Sequence, residues 1–183
     1  MMMLSHENTV IHLSMHFAGH LIEREARLNQ LLDLARFVHQ VPDLNWGVIN
    51  GRAATAGVGR FLFASLFLAH EIFGSPLPPA PAWKELEHEA PLAFREWLIE
   101  NGVEDVLTSN YRQRSKGQDY QLTFLAARSM VERLGILRFA ALPPAGQLMV
   151  KYNLRHRWLT PLLYPRYLAE RLGGYGRALL TKN

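Results

Sequence analysis

The sequence contains no cysteine at all. That excludes a disulfide framework, a cysteine-type zinc finger, an iron–sulfur cluster and a thiol nucleophile. Long apolar runs are missing too. The most apolar stretch, Phe61 to Ala69, has Ser65 inside it and is flanked by Arg60 and His70; it is far shorter than the roughly 20 residues needed to span a bilayer and reads as a buried helix. Met1 to Val10 has no basic n-region followed by an apolar run, so no targeting segment is expected and the start reads as cytoplasmic. No segment alternates with period two for long enough to make a strand, and Asn50-Gly51, the nearest approach to a hairpin turn, sits inside a helical pattern. A G-x-S-x-G elbow is absent. Gly57-Val58-Gly59 lacks the third glycine and the preceding strand of a dinucleotide-binding loop, and it reads as a helix connector.

What remains is a chain of 183 residues, 49% hydrophobic and 20% charged, enough for one domain with a core, or one domain and an appendage. The net charge of +4 is unevenly spread: residues 1–60 sum to 0, residues 61–120 to −4 and residues 121–183 to +8. An anionic partner would therefore meet the C-terminal third.

Helical periodicity dominates. Val10 to Glu23 places Val10, Ile11, Leu13, Met15, Phe17, Ala18, Leu21 and Ile22 on one broad arc and His12, His16 and His20 opposite. A second helix is predicted from about Glu25 to His39, with Leu28, Leu31, Leu32, Leu34, Ala35 and Val38 inward and Asn29 and Asp33 outward. Asn45 is an N-cap for a short helix from Trp46 to near Ala56, and the apolar helix Arg60 to Phe73 ends at a C-cap, Gly74. Ser75 to Pro81, with four prolines, reads as a rigid linker or loop, and the main organisational boundary is expected there. Beyond it, helical pieces are predicted at Trp83 to Glu89 and Leu92 to Glu100, closed by Gly102. Gln118 to Leu134 is predicted as the longest uninterrupted helix, apolar nearly all round and so central. A last helix is predicted to start at Thr160-Pro161 and run to Leu172. The expected class is all-α: a multi-helix bundle with an irregular Pro-rich linker and a basic C-terminal helical segment. The expected parts are 1–78, 79–147 and 148–183.

The candidate chemistry is sparse. His12, His16 and His20 stand one turn apart, and adjacent pairs have the spacing at which two imidazoles reach one ion. The outer two are about 12 Å apart along the axis, so at most two could share it, and no further ligand completes a site. The expectation is a polar stripe facing solvent or a partner, with no metal. Glu85, Glu87 and Glu89 diverge on a helix and read as a solvated face. The C-terminal segment interleaves Lys151, Arg155, Arg157, Arg166 and Arg171 with Tyr152, Trp158, Tyr164 and Tyr167, a pattern that suits phosphates and bases, a membrane surface, or a basic helix packed by its own tyrosines.

The block His12-Leu13-Ser14-Met15-His16-Phe17-Ala18-Gly19-His20, followed by Arg27-Leu28-Asn29-Gln30-Leu31-Leu32-Asp33-Leu34-Ala35-Arg36, resembles a helical block of the uncharacterised bacterial nucleotidyltransferase family. So does the succeeding order: Asp43-Leu44-Asn45-Trp46, an alanine-rich stretch, and an apolar helix ending Phe73-Gly74-Ser75-Pro76-Leu77-Pro78. The likeness covers about His6 to Pro78. It implies a catalytic α/β half lying N-terminal to this block, with a Gly-Ser turn and paired aspartates for magnesium and a nucleoside triphosphate. The aspartates here are Asp33, Asp43, Asp105 and Asp119, with no D-x-D among them. Catalytic and metal residues are therefore expected to be none, and magnesium and nucleotide are expected only with the missing domain, in cis or in trans. Met1-Met2-Met3, opening directly into the first family helix, points to a truncated or split member. His16, His20, Arg27 and Asp33 are the expected substrate-binding residues. The alternative is a non-catalytic module that holds nucleic acid through Lys151, Arg155, Arg157, Arg166 and Arg171.

Overall fold

The structure is a computed structural model, and it describes residues 4–22, 26–108, 121–154 and 156–170. All regular structure in the described residues is helical, as the periodicity implies. The chain divides into two compact units, residues 1–112 and 113–183.

In the first unit, α1 (His6–Ile22), α2 (Leu28–Gln40), α3 (Trp46–Thr55) and α4 (Gly59–Phe73) make the core. Helix α1 begins earlier than its apolar pattern, because Ser5 caps it: the Asn8 amide donates to Ser5 Oγ at 3.3 Å and the Thr9 hydroxyl to the Ser5 carbonyl at 3.0 Å. Its inward face is Val10, Ser14, Phe17, Ala18 and Leu21, spaced by turns of the helix. Helix α2 starts at Leu28, later than its periodicity suggests, and buries Leu31, Leu34, Ala35 and Val38; Leu28 is exposed and Leu32 half-buried. Asn45 caps α3, its side chain accepting from the Val48 amide at 3.1 Å. Helix α4 is buried nearly all round, through Leu62, Phe63, Ala64, Ser65, Leu66, Leu68 and Ala69, and contacts α1, α2, α3 and α5. The Ser65 hydroxyl donates within 2.9 Å of the carbonyls of both Ser14 and Phe61, which satisfies the one polar group this helix carries into the core.

Gly74 ends α4 in the left-handed region at φ 65°, where only glycine is unstrained. The proline-rich segment after it is a loop as far as Pro79, one of the two forms expected for it, but the unit boundary expected there falls at residues 112/113 instead. His70 Nδ1–H donates to the Ser75 carbonyl at 2.8 Å, and Ser75 is buried. On its far side α5 (Ala80–Glu89) stacks Trp83 on Phe63, centroids 4.8 Å apart. Proline stiffens this segment, and the buried Ser75 at one end and the half-buried Trp83 against Phe63 at the other hold it to the core.

Pro91 then starts α6 (Leu92–Trp97), which continues through a π-helical turn, Leu98–Gly102, into α7 (Val103–Leu107). Gly102, expected to close a helix, lies buried inside this continuous rod. A Cβ there would stand 3.0 Å from Leu68 Cδ2, so the glycine permits close packing on α4.

The second unit departs furthest from expectation. The helix predicted over Gln118 to Leu134 is broken: α8 (Gln121–Leu125) ends, and α9 (Met130–Ala141) begins at Ser129. Ser129 Oγ accepts from the Glu132 amide at 3.1 Å, while Glu132 Oε2 accepts from the Arg128 amide at 2.9 Å, a variant of the capping box. Nor is α9 central. It buries no residue, and Met130, Val131, Leu134 and Leu137 are exposed, Val131 by 79%. Helix α10 (Ala145–Lys151) follows, and a 3-10 helix, Arg157–Leu163, leads into a helical turn over 164–170. The start expected at Thr160-Pro161 thus comes several residues late, with Pro161 inside the 3-10 segment; the expected end at Leu172 is outside the described residues. Tyr164 and Tyr167 donate their hydroxyls to the carbonyls of Pro143 (2.9 Å) and Ala140 (3.1 Å), pinning this unit together.

Candidate functional site

The histidine stripe forms as its spacing requires. His12 and His16 are exposed and His20 is half-buried. The rings of His12 and His16 lie nearly parallel with centroids 6.4 Å apart, whereas those of His16 and His20 meet edge to face at 4.7 Å. His20 Nδ1 is buried and has no hydrogen-bond partner.

Arg27 and Asp33 are not drawn into a cluster with these rings by any hydrogen bond or ion pair among the described residues. Arg27 is the N-cap of α2; its amide donates to Gln30 Oε1 at 3.2 Å and its side chain is exposed. Asp33 is exposed and forms no ion pair with Arg36, although the i, i+3 spacing offers one. Of the four expected contact residues, the fold therefore joins His16 to His20 and presents the other two singly.

The carboxylates disperse. Glu85 Oε2 accepts from Asn50 Nδ2 at 2.8 Å, Glu87 pairs with Arg95 at 2.7 Å, and the Glu89 side chain lies where a Cβ on Gly59 would meet it at 3.0 Å. Among the described residues no three His, Cys, Asp or Glu side chains converge to hold a metal ion. Asp33 and Asp43 are exposed on separate elements, Asp105 is half-buried on α7, and Asp119 is outside the described residues. These residues do not fit a magnesium–nucleotide centre, which needs clustered carboxylates, and no catalytic step is assigned to them. A shallow groove of about 440 Å³ on α3 is lined by Val48, Gly51, Arg52, Thr55 and Ala56. Its one cation, Arg52, already donates to Asn8 Oδ1 at 2.8 Å and to Ser5 Oγ at 3.3 Å.

In the basic, aromatic C-terminal segment, Lys151 and Arg166 are paired within the segment itself. Lys151 Nζ and Arg166 Nε both pair with Glu170, at 2.8 and 3.0 Å, and Tyr152 donates its hydroxyl to the same carboxylate at 3.0 Å. Lys151 lies over the rings of Tyr152 and Tyr167, and Arg166 over Tyr152. Arg155, Arg171 and the side chain of Arg157 are outside the described residues. Hydrogen bonds from Lys151, then Arg166 and Tyr152, hold the Glu170 carboxyl at about 2, well below its ordinary value of 4.5. The same contact raises Lys151. A depressed carboxylate contributes stability above its unfolded value and loses it as pH falls through the folded one. Carboxyl-carbon NMR should therefore find Glu170 titrating near 2, in the same range where the cluster comes apart, and moving up toward 4.5 in Lys151→Met. A wild-type midpoint at the ordinary value would mean the cluster does not form. Because the groups are exposed, salt should weaken the effect.

The fold and its sites define a helical module with a surface histidine stripe and dispersed carboxylates. Residues 1–74 match a family model described as Uncharacterised nucleotidyltransferase, so α1 to α4 are similar to that family over fewer than half of the chain's residues. No curated protein and no solved structure matches the chain. Among the described residues no helix is long and apolar enough to cross a membrane.

Proposed function

We propose that this chain is the helical accessory part of a nucleotidyltransferase, supporting the binding of nucleotide or acceptor, while transfer is carried out by a catalytic domain supplied in cis or in trans. The observation that carries this reading is the family match over residues 1–74, which coincides with the four core helices. The dispersal of Asp and Glu side chains supports it, because phosphoryl chemistry with two divalent ions needs carboxylates held together. His16, His20, Arg27 and Asp33 are the proposed contacts: each is at least partly accessible, the histidines on α1, Arg27 at the N-cap of α2 and Asp33 in its middle. An arginine suits a phosphate or carboxylate, and the imidazoles can donate to phosphate oxygens.

The test is transfer of label from nucleoside triphosphates in the presence of magnesium, first by this chain alone and then with a nucleotidyltransferase domain bearing the Gly-Ser turn and D-x-D pair, taken from the flanking reading frames. The chain alone should incorporate nothing above background. Together the two should be active, and Arg27→Ala or His16→Ala should lower kcat/KM by about tenfold, chiefly through KM, as expected for lost ground-state binding. Robust transfer by the chain alone, or a catalytic domain indifferent to its presence, would overturn the proposal.

A further inference from the structure

We infer that the exposed side of α9 is a docking face for an anionic membrane surface, an interaction independent of the transfer function proposed above. The amphipathicity of this helix is inverted. At 100° per residue Leu137, Met130, Leu134 and Val131 fall within an arc of about 120°, and all four are exposed, from 53% at Leu137 to 79% at Val131. The opposite side, made of Glu132, Arg133, Ile136 and Ala140, is half-buried in the second unit. There Glu132 accepts from the Arg128 amide, the Arg133 guanidinium lies 5.4 Å from the centroid of the Phe124 ring, and the Ala140 carbonyl accepts from Tyr167. A helix on the surface of a globular unit normally does the reverse. Large apolar groups left in water cost free energy, and a contiguous set of them marks an interaction face.

Charge selects the occupant. Residues 121–183 sum to +8 and contain only two side-chain carboxylates, Glu132 and Glu170. Both are engaged within the unit, Glu132 at the cap of α9 and Glu170 with Lys151 and Arg166, so neither repels an anionic surface from outside. Arg138 is exposed within the apolar arc itself, where its stem can lie among hydrocarbon while its guanidinium reaches a phosphate. A second copy docked face to face would set +8 against +8. Nucleic acid would answer the arginines and leave the apolar arc in water. Anionic lipid offers headgroup charge and acyl chain in one surface, the combination that holds interfacial helices. With 12 residues α9 is about 18 Å long, so it lies on the bilayer and does not cross it.

The test is sedimentation of the full chain with unilamellar vesicles of phosphatidylcholine, with and without about 30% phosphatidylserine. The chain should pellet with the anionic vesicles and stay in solution with the neutral ones, and raising salt from about 0.1 to 0.5 M should weaken binding several-fold. Leu134→Ser combined with Leu137→Ser, which leaves charge unchanged, should weaken it by about tenfold or more, Arg138→Gln by about threefold, and Leu92→Ser, at an exposed position of the first unit, by less than twofold. All these positions are exposed, so circular dichroism should show wild-type helix content in each variant. Failure to pellet with anionic vesicles, or equal pelleting with neutral ones, would overturn the inference. So would vesicle binding indifferent to the two leucine substitutions, which would reduce the contact to a phosphate attraction shared with nucleic acid. A dimer in sedimentation equilibrium that the same substitutions dissociate would give the face to a second copy instead.

Discussion

Phe17→Ala is expected to cost the first unit about 3–5 kcal/mol, the range for truncating a fully buried aromatic where the surroundings relax only partly. Phe17 is completely buried on α1, the helix that packs against α2, α3 and α4 together, so the cavity would open where all four core helices depend on one another. Against a typical domain stability of about 5–15 kcal/mol, such a loss takes a large fraction of the total. Three of the four tryptophans, Trp46, Trp83 and Trp97, lie within residues 1–112, so urea unfolding followed by fluorescence in a Trp158→Phe background reports on this unit alone. Leu92→Ala, at an exposed position of α6 in the same unit, serves as the contrast and should change stability by no more than about 0.5 kcal/mol. A Phe17→Ala loss below about 1 kcal/mol would show that α1 is not integral to the core.

Asn50→Ala is expected to destabilise the same unit by about 2–3 kcal/mol, because a largely buried amide bonded to a carboxylate is worth more than a neutral pair. Asn50 Nδ2 donates to the Ala82 carbonyl at 2.9 Å and to Glu85 Oε2 at 2.8 Å, tying α3 to α5 across the proline-rich segment. Both partners only accept, so the orientation of the amide is dictated by them. Asn50→Asp should be worse than Asn50→Ala at neutral pH, since it sets two carboxylates against each other and removes the donor. Limited proteolysis gives a second reading: cleavage within residues 75–81 should accelerate in both variants. If Asn50→Ala left both stability and cleavage unchanged, the segment would be a linker after all.

Much of the first unit could be read from residue order. The Asn45 cap, the Gly74 terminus, the inward faces of α1 and α2 and the buried apolar helix that became α4 all follow from local chemistry: which side chains cap, which periodicity buries, which residue tolerates a positive φ. The second unit was less legible. Ser129-Met130-Val131-Glu132 carries a capping signature that marks the start of α9, yet the apolar residues on either side of it hide the break from a periodicity count. Gly102 was misread for a related reason: glycine closes helices and also lets helices approach, and only a neighbour such as Leu68 tells the two apart.

Among the candidate site residues, spacing alone put His12, His16 and His20 on one stripe and set the glutamates of α5 diverging. It could not choose between two histidine pairs with the same i, i+4 separation, because ring orientation is decided by side-chain torsions and by what packs around each ring. Nor could it foresee that Glu170 would bind Lys151, which lies 19 residues away. Residue order by itself determined the helical class, the caps at Asn45 and Gly74 and the absence of thiol chemistry, all of which depend on composition or on neighbours within a turn or two. The packing of the proline-rich segment, the exposed apolar residues of α9, the different ring contacts of the two histidine pairs and the contact of Lys151 with Glu170 were decided only by tertiary structure, because each rests on contacts or side-chain geometry that sequence distance does not encode.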